Sequence, residues 1–172
     1  MRDPLADPAP LVRRVYAYVA YRLGDGPDAE DVTSETFERA LRYRESYDPR
    51  KGDPAAWLIG IARRCVADAA LKGRPPEPSV HDVREEPDPA APAVDRLTVR
   101  AAVASLDERD RELIALRYGA DLTARQIAET LEMRTNAVEV ALHRALGRLR
   151  ESLGGADVEA PTAPRWRHET GL

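Results

Sequence analysis

Residues 122–153, LTARQIAETLEMRTNAVEVALHRALGRLRESL, decide how the rest of the chain is read. Thr123 followed three positions later by Gln126 is a capping-box pair, so a helix is expected to begin there. Ile127, Ala128 and Leu131 then recur at helical spacing and face a core. A turn falls near Glu132–Thr135, with Thr135 or Asn136 available to cap a second, longer helix. That helix carries Val138, Leu142, Ala145, Leu146 and Leu149 on one side. Arg134, His143, Arg144, Arg148 and Arg150 supply a polar and cationic surface. A short helix, a brief turn and a longer helix with a basic outer face make a helix-turn-helix, whose second helix fits a DNA major groove. The same pattern also suits a helical hairpin in any all-α domain, so the remainder of the chain must arbitrate.

Working outward, the chain of 172 residues has room for one or two small domains. A third of its residues are charged and few are aromatic, as in soluble helical modules. The net charge of −4 argues against a uniformly basic coat for nucleic acid, so segments matter more than the sum. One cysteine, Cys65, excludes an internal disulfide and fits a reducing compartment. With no long apolar run and no signal-peptide core, a cytoplasmic protein without membrane insertion is expected.

Before the helix-turn-helix, residues 1–10 hold three prolines and read as a disordered leader. From Leu11, the stripe Leu11, Val15, Val19 and Leu23, flanked by Val12, Tyr16 and Ala20, predicts a helix ended by Gly24-Asp25-Gly26-Pro27. A second helix opens at Asp28, its acidic first turn matching the positive end of the helix dipole. Its inner face is Ala29, Val32, Thr33, Thr36, Phe37, Ala40 and Leu41; the outer carboxylates have an ordinary solvated face as their plain reading. After the loop Ser46–Pro54, a third helix over Ala55–Lys72 buries Leu58, Ile61, Ala62, Cys65 and Ala69. Trp57 and Arg64 fall seven residues apart on nearly one side. Trp57 either stacks on a base beside a phosphate-holding arginine or closes a small core.

Residues 73–95 contain six prolines and more acid than base, which predicts a flexible linker and a domain boundary. Beyond it, Leu97, Val99, Val103 and Leu106 start a helix, and Ser105 with Glu108, or Asp107 alone, caps the next, which carries Leu113, Ile114 and Leu116. Residues 154–172 read as a disordered tail. The fold class is therefore all-α, with two small helical domains over 11–72 and 96–153.

This order of elements resembles the ECF (extracytoplasmic-function) sigma factors of bacterial RNA polymerase. DAEDVTSETFERA (Asp28–Ala40) is similar to the family's second conserved region and AWLIGIARRCVADA (Ala56–Ala69) to its promoter-melting helix. LDERDRELIALRYGADLTARQIAETLEMRTNAVEVALHRALGRLRESL (Leu106–Leu153) is similar to its fourth region. The resemblance implies a sigma region 2-like domain, a region 4-like domain and a role in promoter recognition, melting and transcription initiation. Asp31, Ser34, Glu35 and Arg39 would bind core RNA polymerase. Trp57, Arg63, Arg64 and Lys72 would meet the −10 element of promoter DNA, where melting needs cations and a place for an unstacked base. Arg134, Thr135, Asn136, Glu139, Val140, His143, Arg144 and Arg148 would meet the −35 element. An anti-sigma factor is a further partner the family allows.

The chain departs from the family pattern at Ser34, usually glutamine, and Arg64, usually asparagine. Glu132 replaces the common turn glycine, and Glu139 and Ala141 replace a lysine and an arginine. Glu139 either accepts from a cytosine amino group or, three residues after Asn136, completes a capping box. Two rival readings are a stand-alone helix-turn-helix regulator and a sigma-like interaction protein that no longer initiates. An enzyme is not expected: His81, His143, His168 and Cys65 are scattered, and the residues offer no catalytic set, metal site or cofactor loop.

Overall fold

The computed structural model describes residues 3–72 and 93–154, with side chains in the second segment from residue 98 onward. Most of the linker predicted over 73–95, and the tail apart from Gly154, lie outside the described residues. Within them the architecture is helical throughout: α1 Pro8–Leu23, α2 Pro27–Arg42, α3 Pro54–Leu71, α4 Ala93–Ser105, α5 Glu108–Ile114, α6 Ala124–Leu131 and α7 Thr135–Ser152. A short 3-10 turn, Arg44–Ser46, follows α2, and a π turn, Ala115–Gly119, extends α5.

Local chemistry accounts for most helix ends. A proline stands in the first turn of α1, α2 and α3, where its missing N–H costs no intrahelical bond. Pro8 therefore starts α1 three residues before the apolar stripe at Leu11, and Pro4 and Leu5 of the expected leader pack inward. Gly24 (φ 85°) and Gly26 (φ 130°) adopt conformations that let the chain reverse between α1 and α2. Asp53 caps α3, accepting from the Ala56 amide at 2.8 Å, and Asp107 caps α5 through the Asp110 amide at 2.8 Å. The Thr123–Gln126 capping box of α6 is present with both reciprocal bonds. Helix α4 begins at Ala93, so the last three residues of the expected linker are helical.

Two predicted features of the helix-turn-helix are corrected. Neither Thr135 nor Asn136 caps α7; Arg134 occupies the N-cap position and makes no side-chain capping bond. Glu139 consequently sits beyond the third helical position, too far along to reach back, so its capping-box reading fails. The turn is set instead by Glu132 in the left-handed conformation (φ 54°, ψ 41°), with the Met133 amide donating to the Ala128 carbonyl at 2.9 Å.

Helices α1–α3 form the first lobe and α4–α7 the second. The buried positions of α2 match the predicted face except that Leu41 is 57% exposed at its end. On α3, Leu58, Ala62 and Cys65 are buried as predicted, but Ile59 and Val66 are buried too while the predicted Ile61 and Ala69 are half-buried, because α1 and α2 cover the helix from a slightly different side. In α4, Val99 is exposed and Val103 buried, as is Leu106 just beyond it. The two lobes do not stand apart. One continuous apolar core joins Val15, Tyr18 and Val19 of α1 to Leu113, Leu116, Leu122, Ile127 and Val138 of the second lobe. At the crossing, a Cβ built on Gly119 would lie only 2.9 Å from the Tyr18 backbone, so the π turn meets α1 with no side chain between them. A second, smaller cluster (Val103, Leu106, Ile114 and Ala145) closes the far end of the second lobe.

Candidate functional site

Three exposed surfaces carry the residues singled out from sequence. On α2, Asp31 and Ser34 are exposed while Glu35 and Arg39 are half-buried. The Arg39 guanidinium donates to Glu35 at 2.5 Å and to Asp68 of α3 at 2.8 Å. The bond to Asp68 is the chief reason its already high pKa rises further. Arg39 thus ties α2 to α3 and presents a fixed edge of alternating charge beside Asp31 and Ser34.

Arg64 on α3 and Lys72 at its C-cap are exposed and face solvent. Trp57 is half-buried and serves the core: its ring packs against Tyr47 with centroids 5.5 Å apart and planes inclined at 60°. Tyr47 in turn donates its hydroxyl to the Gly52 carbonyl at 3.1 Å, which fastens the preceding loop to the helix. Cys65 is fully buried, and that burial pushes its thiol pKa up, so it acts as a small apolar side chain.

Arg63 differs from its neighbours, because it reaches across to the second lobe. Its Nε donates to Glu112 at 2.7 Å and its Nη1 to the Thr130 carbonyl at 3.0 Å. The same Glu112 carboxylate accepts the Tyr18 hydroxyl at 3.0 Å. It also lies 2.9 Å from Arg22 Nε, a charge contact short of hydrogen-bond geometry. Glu112 is only 14% exposed, so this charge is held largely out of water by two guanidinium groups and a phenol. Burial, and then the Glu112 charge, raise the pKa of Tyr18 well above its ordinary value. For Arg22, burial pulls downward, but bonds and charges from Glu108 and Glu112 outweigh it and leave the pKa raised. Nothing in the local pattern flagged Tyr18, Arg22 or Glu112, since their partners lie far away in sequence.

Along α7, all eight residues expected at the −35 element are exposed. Asn136, Glu139, Val140, His143 and Arg144 follow one another at helical spacing, so they share a face. Val140 is 51% exposed, an apolar contact in the middle of a polar stripe. Arg148 is the exception in role. It pairs with the buried Asp110 of α5, and that bond raises its pKa. It therefore braces α7 against α5 as well as bordering the exposed face.

Comparison with known proteins supplies the family. The chain matches the models for Sigma-70 region 2 over residues 9–74 and for Sigma-70 region 4 over residues 96–149. It is 30% identical over 145 residues to the ECF RNA polymerase sigma factor SigL of Mycobacterium tuberculosis, covering 81% of this chain and 82% of that protein. The chain belongs to the ECF sigma factors. Membership brings the family's general role, binding core RNA polymerase and promoter DNA in transcription initiation. Against another ECF sigma factor, BldN of Streptomyces coelicolor, identity is 31% over 140 residues, and the match spans about half (53%) of that longer protein. Among solved structures, the fold is similar to the sigma factor RpoE in complex with the anti-sigma factor NepR from Bartonella quintana. The TM-score is 0.70 at 18% identity, over 86% of this chain and 93% of that one. It is also similar to CnrH in complex with the cytosolic domain of CnrY, with a TM-score of 0.59 at 23% identity, over 83% and 82% of the two chains. Among the described residues, no helix is long and apolar enough to cross a membrane.

Proposed function

We propose that this ECF sigma factor divides its work among three faces. The α2 edge formed by Asp31, Ser34, Glu35 and Arg39 docks on core polymerase. The exposed cations Arg64 of α3 and Lys72 at its C-cap, joined by Arg63, hold the opened −10 strand. The stripe Arg134–Arg144 of α7 reads the −35 duplex, with Arg148 at its border. The observation that carries this reading is the α7 stripe: side chains able to read bases or hold phosphates are exposed along the second helix of a helix-turn-helix. In such a motif that helix lies in the major groove. Within the stripe, Glu139 has no capping duty, which favours its acceptance of a cytosine amino group; the exposed Val140 suits a thymine methyl. Trp57 supports this surface from behind, through the core and Tyr47.

The deciding experiment is run-off transcription with core polymerase stripped of its own sigma, on templates selected from a randomised promoter library. Start-site selection should appear only when the chain is added. Tight sequence-specific binding by the chain alone, with no dependence on core enzyme, would point instead to a stand-alone regulator. Association with core polymerase without initiation at any selected template would point to an interaction protein.

A further inference from the structure

Among the residues expected at the −35 element, Arg148 stands apart. Its guanidinium pairs with Asp110 of α5, a carboxylate whose side chain is only 7% exposed. Asp110 is itself held in place, because its amide donates to the carboxylate of Asp107, the N-cap of α5, at 2.8 Å. At the end of α7, the Ser152 hydroxyl shares a hydrogen bond of 3.0 Å with Ser105 at the end of α4. Position agrees with the pairing. At about 100° per residue, Arg148 lies about 80° round α7 from Val140, the middle of the exposed stripe, and about 60° from the fully buried Ala145. It also lies about 20 Å along the axis from Thr135, the end that a helix-turn-helix presents to bases.

A DNA phosphate would have to draw Arg148 away from Asp110 and leave a nearly dry carboxylate without its counter-charge, which is costly. The pair therefore stays closed when the helix is bound. What it supplies instead is rotational definition. Val138, Leu142 and Ala145 bury the opposite side of α7, but apolar contact is non-directional and tolerates small rotations of a helix about its own axis. A charge-assisted hydrogen bond on the flank does not. The lever is long enough to matter. Stripe side chains end about 6 Å from the axis, so a rotation of about 20° carries their tips about 2 Å sideways. Hydrogen bonds to base edges work within a window of about 0.5 Å.

We propose that the Asp110–Arg148 pair positions the −35 reader: Asp110 fixes the rotation of α7 through Arg148, and Arg148 itself makes no contact with DNA. This role rests on the reading of the α7 stripe as the −35 surface. Two consequences separate it from a phosphate contact. Loss of the pair blurs recognition at every base the stripe reads, whereas loss of one reading side chain changes one position. Loss of the pair also leaves the salt dependence of promoter binding untouched. Each phosphate contact removed would lower the slope against log salt by about 0.9.

The test uses the full chain assembled with core polymerase and a duplex promoter library randomised over the −35 element. Binding to one selected promoter is repeated from about 50 to about 200 mM salt. Arg148→Gln, Asp110→Asn and Arg148→Lys are compared with Arg144→Gln from the stripe, with circular dichroism confirming that each is folded at the assay temperature. Asp110→Asn and Arg148→Gln should each flatten base preference across the whole element, by about tenfold per position, with the salt slope unchanged. Combined, they should do no more than either alone, as members of one interaction. Arg148→Lys keeps a cation within reach of Asp110 and should restore most of the preference. Arg144→Gln should instead lower the slope by about 0.9. If Arg148→Gln does not fold, Asp110→Asn carries the same comparison, since it keeps the shape of the side chain. A phosphate-binding Arg148 would be released by Asp110→Asn and hold promoter as tightly or more tightly. That result, or a slope lowered by Arg148→Gln as much as by Arg144→Gln, would overturn the positioning role. Unchanged preference in the Asp110 and Arg148 variants, with Arg144→Gln still impaired, would overturn it alone. Unchanged binding in every variant, Arg144→Gln included, would overturn the reading of α7 as well.

Discussion

Replacing Gly119 by alanine should weaken the fold by an amount the structure allows to be worked out. The added Cβ would stand 2.9 Å from both the Cα and N of Tyr18 and 3.0 Å from the carbonyl carbon of Ala17, where ordinary contact begins at 3.4 Å. All three neighbours are main-chain atoms in the middle of α1, so none can rotate aside. Either α1 shifts by roughly 0.5 Å inside a close-packed core or the lobes separate along their seam. Overpacking of this kind costs about 1–3 kcal/mol. For a chain of this size that corresponds to a fall in melting temperature of about 2–12 °C. Gly147 of α7 is the built-in control, because a Cβ added there would meet nothing within 4 Å. There alanine should instead add about 0.5–1 kcal/mol through helix propensity. Thermal and urea unfolding followed by circular dichroism would measure both. If Gly119→Ala proves as stable as Gly147→Ala, then α1 does not rest on the π turn in solution and the shared core is refuted.

Glu132→Gly should stabilise the chain by about 0.5–1 kcal/mol, since the left-handed conformation costs a non-glycine residue about 1–2 kcal/mol and glycine returns only part of that as unfolded-chain entropy; the urea midpoint should rise with the slope unchanged. Tyr18 has a folded pKa raised above its ordinary 10.0, so its contribution to stability is complete below about pH 10 and is lost as pH climbs toward the higher folded value. Melting scans from pH 8 to 11 should therefore show a steep alkaline decline that is shallower in Tyr18→Phe. Glu139→Gln should relax selection at one −35 position by about 1–3 kcal/mol, read as altered base preference in a promoter library, while an unchanged preference would remove Glu139 from base recognition. Arg64→Glu should reduce open-complex formation, followed by permanganate footprinting, and leave core-polymerase affinity intact.

What the sequence made legible was local and periodic. The Thr123–Gln126 box, the Asp107 cap and the apolar faces of α2 and α6 depend on residues three or four apart, so their pattern survives in one dimension. The exposed stripe of α7 was readable for the same reason, although what each member touches was not. Leu41 and Val99 fit the apolar rhythm but are exposed, because rhythm does not reveal which positions a neighbouring element covers. The seam between the lobes was invisible. Tyr18 and Glu112 are separated by 94 residues and Arg14 and Ala120 by 106, and no spacing rule links such pairs. The worth of Gly119 lies in the helix that crosses it, which no local pattern around residue 119 reveals. Glu139 shows the reverse error: a valid capping spacing from Asn136 came to nothing because the helix had already begun at Thr135.

The separation of the α7 stripe from the seam has a practical consequence. The exposed members of residues 134–144 could be exchanged for those of relatives with other promoter preferences, the buried Val138 and Leu142 being kept, without touching the core that joins the lobes. The scaffold would then serve as a chassis in which the promoter address changes and the body that carries it does not.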